Sequence, residues 1–140
     1  MEASKKAIYF KKVQEEPLAR LLNIRLKDVD DGYALCEMEF IDTMENIYGS
    51  AHGGAIFSLI DEAFEVASNS HGVMAVALNV NIQYIRPALA GDMLTAEAKE
   101  LSRSKKISTY DIDVHNANAQ KIASARCMAF IKGDKLPFLE

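Results

Sequence analysis

Residues 54–70 read GAIFSLIDEAFEVASNS. Ile56, Phe57, Leu59, Ile60, Ala63, Phe64, Val66 and Ala67 cover most of a helical wheel, which predicts a helix buried nearly all round. Such a helix has to be wrapped by the rest of the chain. Asp61 interrupts its apolar surface. A buried carboxylate without a partner is costly, so one kept here has a purpose or a hydrogen-bonding network.

The segments downstream supply the wrapping. Over 74–85, Met74, Val76, Leu78, Val80, Ile82 and Tyr84 alternate with Ala75, Ala77, Asn79, Asn81 and Gln83, the pattern of a strand. Pro87 and Gly91-Asp92 mark a turn, and further strands are predicted over 93–101, 107–114 and 121–131. Consecutive strands with short connections make an antiparallel meander. Upstream, the turn Asp30-Asp31-Gly32 precedes a strand over 33–41, with Ala34, Cys36, Met38 and Phe40 on one face and Glu37 and Glu39 on the other. Residues 5–22 read as helical, and Pro17 ends one helix and starts another. The fold class is α+β: a central helix over about 54–70 lies in the concave face of a curved antiparallel sheet, as one domain over 1–140.

With 140 residues, 49% hydrophobic and 26% charged, the chain suits one packed domain. A net charge of -4 argues against nucleic acid as a partner, because phosphate neutralisation needs a basic face. No stretch approaches the roughly 20 apolar residues that span a bilayer, and the start MEASKKAIYFKK is too polar for a secretory signal. Cys36 and Cys127 sit inside strand segments and read as buried free thiols, consistent with a reducing cytoplasm.

Chemistry concentrates in residues 46–64, NIYGSAHGGAIFSLIDEAF. Gly53 and Gly54 open the buried helix, whose first N–H groups have no intrahelical acceptor. At the positive end of the helix dipole they suit a carbonyl oxygen that becomes an oxyanion. Taken without the surrounding motif, the two glycines read first as letting the loop turn into the helix. Asn46 taken by itself reads as a turn-stabilising residue. His52 has no His at metal-ligand spacing, since neither His71 nor His115 stands in helical register with it, so no metal is expected. Neither a P-loop nor a GxGxxG run is present, so no nucleotide cofactor is expected either.

The combination of Asn46, then His52-Gly53-Gly54, then Asp61 nine residues after the His resembles the PaaI-type thioesterases of phenylacetate breakdown and, more distantly, the animal acyl-CoA thioesterases. The similarity runs over about 17–133, through Asn69-Ser70-His71-Gly72, Tyr84-Ile85-Arg86-Pro87 and Ala90-Gly91-Asp92. It implies the hotdog fold and hydrolysis of acyl-CoA, with no cofactor beyond the CoA of the substrate. Phenylacetyl, ring-hydroxylated phenylacetyl and medium-chain acyl groups are the candidates. The resemblance further implies that Asp61 is general base or nucleophile, that Asn46 and Gly53 donate to the thioester oxygen, and that His52 supports them. By the same token Asn79 orients the water, and some of Arg86, Arg103, Lys105 and Lys106 contact CoA phosphates. Glu65, one turn after Asp61, is read as pairing with a cation such as Arg86 or raising the Asp61 pKa. A homotetramer built from dimers is implied as well.

Spacing adds a constraint of its own. Seven residues separate Gly54 from Asp61, roughly 10 Å along a helix. A carboxylate that far along cannot attack a carbonyl held within about 3 Å of its own helix N-terminus. The reading is therefore a dimer with shared sites: Asn46, His52 and Gly53 from one chain, Asp61 from the other. The rival readings are a dehydratase, whose His-rich signals are missing, and a non-catalytic acyl-CoA-binding regulator, for which 140 residues leave no DNA-binding appendage.

Overall fold

The computed structural model describes residues 1–139; Glu140, the last residue of the expected domain, lies outside the described residues. In chain order the elements are α1 (Ala3–Glu15), α2 (Pro17–Leu22), β1 (Arg25–Asp30), β2 (Tyr33–Glu39), a short 3-10 turn (Asp42–Met44), α3 (Gly53–Asn69), β3 (Val73–Tyr84), β4 (Met93–Arg103), β5 (Ile107–His115) and β6 (Lys121–Lys135). Six strands form one antiparallel sheet in the order β1-β2-β4-β5-β6-β3. This is the curved sheet wrapped around one central helix that the pattern predicts, with β4, β5 and β6 as the meander.

Alternation explains which residues reach α3. Ala34, Cys36, Met38 and Phe40 are all fully buried, as are Leu94, Ala96 and Ala98 on β4 and Tyr110, Ile112 and Val114 on β5. Phe64 of α3 packs its ring against Tyr110, with centroids 5.5 Å apart. Both cysteines are buried and unpaired. Pro17 sits in the first turn of α2, where its missing N–H costs nothing, and Asn23 at φ 54 ends that helix.

The structure departs from the sequence reading in three places. First, β1 escapes the pattern, because a bulge between Leu26 and Asp28 breaks its alternation. Second, α3 is not buried all round. Phe57 is 38% exposed, and Asp61 and Glu65 continue the same open stripe down the helix. Third, β3 is an edge strand that pairs only with β6, and its register slips between Ala77 and Asn79. Ala75 is buried on it, whereas Val76, Leu78 (55% exposed) and Tyr84 are open to solvent. A twelve-residue edge strand carrying exposed apolar side chains is an unpaired template for another strand.

The ends of α3 are fixed by polar contacts. At its C-terminus, Asn69 donates to the Glu65 carbonyl at 2.9 Å and accepts from the Ala75 N–H at 2.9 Å, joining helix to strand. Its carbonyl accepts from the Tyr9 hydroxyl at 2.7 Å, which ties α1 to the same point. Ser70 accepts from the Gly32 N–H at 2.7 Å. These contacts close the helix and anchor its end to β3, α1 and the β1–β2 turn. No helix of the described residues is long and apolar enough to cross a membrane.

Candidate active site

His52 is the N-cap of α3, and its Nδ1 accepts from the Gly54 N–H at 2.9 Å. A ring that accepts this bond at Nδ1 carries its hydrogen on Nε2. The cap explains Gly54: a Cβ there would come 3.1 Å from His52 Nδ1. With the Gly54 N–H occupied, the open donor at this helix end is Gly53, whose N–H meets no acceptor among the described residues. The Gly53 carbonyl accepts from the Tyr84 hydroxyl at 3.0 Å, and a Cβ on Gly53 would lie 3.2 Å from that ring. Tyr84, to which the sequence reading gave no role in the site, thus holds the start of α3 against the end of β3. Its signal was an aromatic residue closing an alternating strand, within the Tyr84-Ile85-Arg86-Pro87 stretch.

Asn46 organises the loop that leads into the cap. Its Oδ1 accepts from the N–H groups of Tyr48 at 2.9 Å and Ser50 at 3.2 Å. Its amide donates to Ser50 Oγ at 3.2 Å and the Ala51 carbonyl at 3.3 Å. In the single chain the Asn46 amide therefore serves the turn.

Asp61 lies two turns down α3, half-buried, in a recess of about 240 Å³ shared with Phe64, Glu65, Ser68 and Ala75. Its carboxylate forms no hydrogen bond or ion pair among the described residues. Burial, and then the charge of Glu16, push its pKa above the ordinary value. A free carboxylate and an open N–H thus occupy one helix without reaching each other.

Glu65 does not pair with Arg86. Arg86 lies at the other end of the helix, where it lines a 380 Å³ recess with Gly53 and Tyr84. Glu65 instead joins Glu16 and Glu62, with carboxylate oxygens of all three within 4.8 Å of one another. Glu62 is 5% exposed, and burial pushes its pKa up to about 9, with Glu16 adding to the shift. Glu65, on the solvent-accessible lip, is pushed up to about 7 by partial desolvation and by the charges of Glu16 and Asp61. Sequence reasoning passed over Glu62 and Glu16. Glu62 stands three residues from Leu59 and four from Val66, an apolar face on which an acid is out of place. Glu16 arrives from the junction between α1 and α2 and left no trace in the sequence pattern.

The other candidates lie apart. Asn79 is exposed on β3 beyond the register slip. Arg103 sits 3.6 Å from Glu100, which also contacts His71 at 3.0 Å near the C-terminal end of α3. Lys106 stands over the Phe130 ring at 5.5 Å, and Lys105 is exposed in the same hairpin. Of the four cations, Arg86 alone borders the recess of Gly53.

A six-stranded antiparallel sheet closed on one helix, with an open N–H at the head of that helix and a lone carboxylate two turns on, defines a hotdog-fold protein. Comparison with known proteins agrees. The model of the thioesterase superfamily matches residues 48–123. A putative esterase of Archaeoglobus fulgidus is 39% identical over 89% of this chain and 80% of its own length. The acyl-coenzyme A thioesterase PaaI of Escherichia coli is 38% identical over 81% of each chain. The E. coli PaaI structure superposes with a TM-score of 0.87 at 33% identity, covering 93% of this chain and 97% of that one. The smu.793 protein of Streptococcus mutans, solved bound to acetyl CoA, aligns at 30% identity with a TM-score of 0.78 over 81% of this chain and 92% of its own. The chain belongs to the thioesterase superfamily, as a hotdog thioesterase of the PaaI type.

Proposed function

We propose that the protein hydrolyses acyl-CoA thioesters to the free acid and CoA, at sites shared between two copies of the chain. The observation that carries this reading is the separation of two unsatisfied groups on α3. The Gly53 N–H and the Asp61 carboxylate lack partners among the described residues and stand eight residues apart, about 12 Å along the axis. A second α3 running antiparallel beside the first brings each carboxylate to the other's N-terminus. The free apolar edge of β3 and the open stripe of Phe57, Asp61 and Glu65 are the surfaces such a pairing covers. Two relatives support the substrate class: the E. coli protein is named an acyl-coenzyme A thioesterase, and the S. mutans protein was solved with acetyl CoA.

In the shared site the thioester oxygen accepts from the Gly53 N–H at the positive end of α3, where the developing negative charge is stabilised. The Asp61 carboxylate of the other chain takes a proton from water as the water oxygen attacks the carbonyl carbon. The carbon–sulfur bond then breaks and the CoA thiolate takes up the proton that Asp61 received, which restores the carboxylate. Direct attack by Asp61, giving an anhydride that water opens, uses the same placement. Arg86, beside Gly53, is the cation best placed for the CoA phosphates. The acyl group belongs to the phenylacetyl, hydroxyphenylacetyl or medium-chain class, and pairs of dimers complete a tetramer.

Release of free CoA thiol from an acyl-CoA panel, wild type against Asp61→Asn, tests the reading. Wild type turns over, and the variant loses about a hundredfold or more while still binding CoA. Binding by both with thiol release by neither would make the protein an acyl-CoA binder and not an enzyme.

A further inference from the structure

Two contacts meet on one peptide group at the head of α3. The Gly53–Gly54 peptide has its carbonyl held by the Tyr84 hydroxyl at 3.0 Å and its N–H held by His52 Nδ1 at 2.9 Å. In a trans peptide these groups point to opposite sides, so the plane is gripped from both. The preceding His52–Gly53 peptide, which carries the open N–H, is held through its carbonyl by the Ala55 N–H at 3.0 Å. Between the two planes stands Gly53, whose wide backbone freedom would otherwise let that N–H swing. The Tyr84 ring also fills the place of a Gly53 side chain, 3.2 Å from the Cβ position. Gly53 and Tyr84 both line the recess of about 380 Å³ that Arg86 borders.

We propose that Tyr84 is a positioning residue for thioester hydrolysis: its hydroxyl and the His52 ring clamp the Gly53–Gly54 peptide and so aim the open Gly53 N–H at the thioester oxygen. The inference rests on the thioesterase reading of Gly53. The first turn of a helix frays because its N–H groups lack intrahelical acceptors, and a bond from a neighbouring strand opposes that. A donor stabilises a developing oxyanion best when it is aimed before the charge appears, because no free energy then goes into turning it. Tyr84 acts through Gly53 and not on the substrate. Its hydroxyl therefore matters most when negative charge has gathered on the oxygen, and it governs kcat more than KM.

The test is thiol release from an acyl-CoA panel, with kcat and KM measured separately. Tyr84→Phe keeps the ring and removes the hydroxyl; kcat falls about tenfold while KM and Tm stay level. Gly53→Ala keeps the N–H, but its Cβ displaces the Tyr84 ring and breaks the same bond. Its kcat falls likewise, and adding Tyr84→Phe to it changes little, because the contact is already lost. An unchanged kcat in Tyr84→Phe overturns the inference and leaves the thioesterase reading standing. So does a rise in KM alone, which would make the hydroxyl a substrate contact, or losses that multiply in the double variant. A fall in Tm large enough to account for the lost activity would make Tyr84 a structural prop and also overturn it. Wild type that releases thiol from no member of the panel overturns both readings.

Discussion

Replacing Glu62 by glutamine removes the pH dependence of stability that its burial creates. The carboxyl ionises near 4.5 in the unfolded chain and near 9 in the folded one, with burial as the first cause and Glu16 as the second. Between those values the native state holds a proton that the unfolded chain has released. Stability from this group is thus complete below about 4.5, falls as pH rises, and levels off above about 9, at roughly 1.4 kcal/mol per pH unit. At pH near 7.5 the loss is on the order of 4 kcal/mol, a large share of the 5–15 kcal/mol typical of a domain. Glutamine has the same size and does not ionise, so the Glu62→Gln variant keeps this stability at neutral and alkaline pH. Urea denaturation of both proteins across mildly acid to alkaline pH reads the difference, which includes the relief of Glu16 and Glu65 from the Glu62 charge. A widening advantage for Glu62→Gln as pH rises is expected. Parallel pH profiles would refute the claim that Glu62 is a buried carboxyl that keeps its proton in the folded chain.

Gly54→Ala places a Cβ 3.1 Å from His52 Nδ1 and breaks the cap. Losing the cap costs about 1 kcal/mol and removing a helical glycine returns a similar amount, so Tm stays nearly level while kcat/KM for thiol release falls about tenfold or more. Phe64→Ala removes the ring packed on Tyr110 at the centre of the core and lowers unfolding free energy by about 3–5 kcal/mol in denaturant titration. Leu78→Lys puts a charge on the free edge of β3. Sedimentation should show a shift from dimer to monomer, with activity falling in proportion; an unchanged sedimentation coefficient would remove this edge from the interface.

Much of the fold was legible because its determinants are periodic. Ala34, Cys36, Met38 and Phe40 alternate into the core, and α3 announces itself by an apolar wheel. What escaped were features that depend on partners distant in sequence or on broken periodicity. The bulge in β1 hid a strand. The apolar row of β3 looked like a core face, but in the single chain it is an open edge, which periodicity cannot distinguish from a buried one. At the site, the His52-Gly53-Gly54 run pointed correctly to the head of a helix. The division of labour within it, with the Gly54 N–H taken by His52 and the Gly53 N–H left open, required coordinates. The meeting of Glu16 with Glu62 and Glu65 joins two elements far apart in the chain, so no local reading reveals it. For the same reason the expected pairing of Glu65 with Arg86 failed: they occupy opposite ends of α3.

The central claim is that Asp61 of one chain serves the Gly53 N–H of another. Mixing Asp61→Ala with Gly53→Pro chains tests it most directly, because proline removes the N–H at a helix position that suits its φ, with the Tyr84 ring, 3.2 Å from the added Cβ, moving aside. Each variant alone is inactive. A mixed dimer holds one site with both groups intact and one with neither, so random reassortment should restore about a quarter of wild-type thiol release. Well-folded mixed dimers that recover no activity would contradict the account.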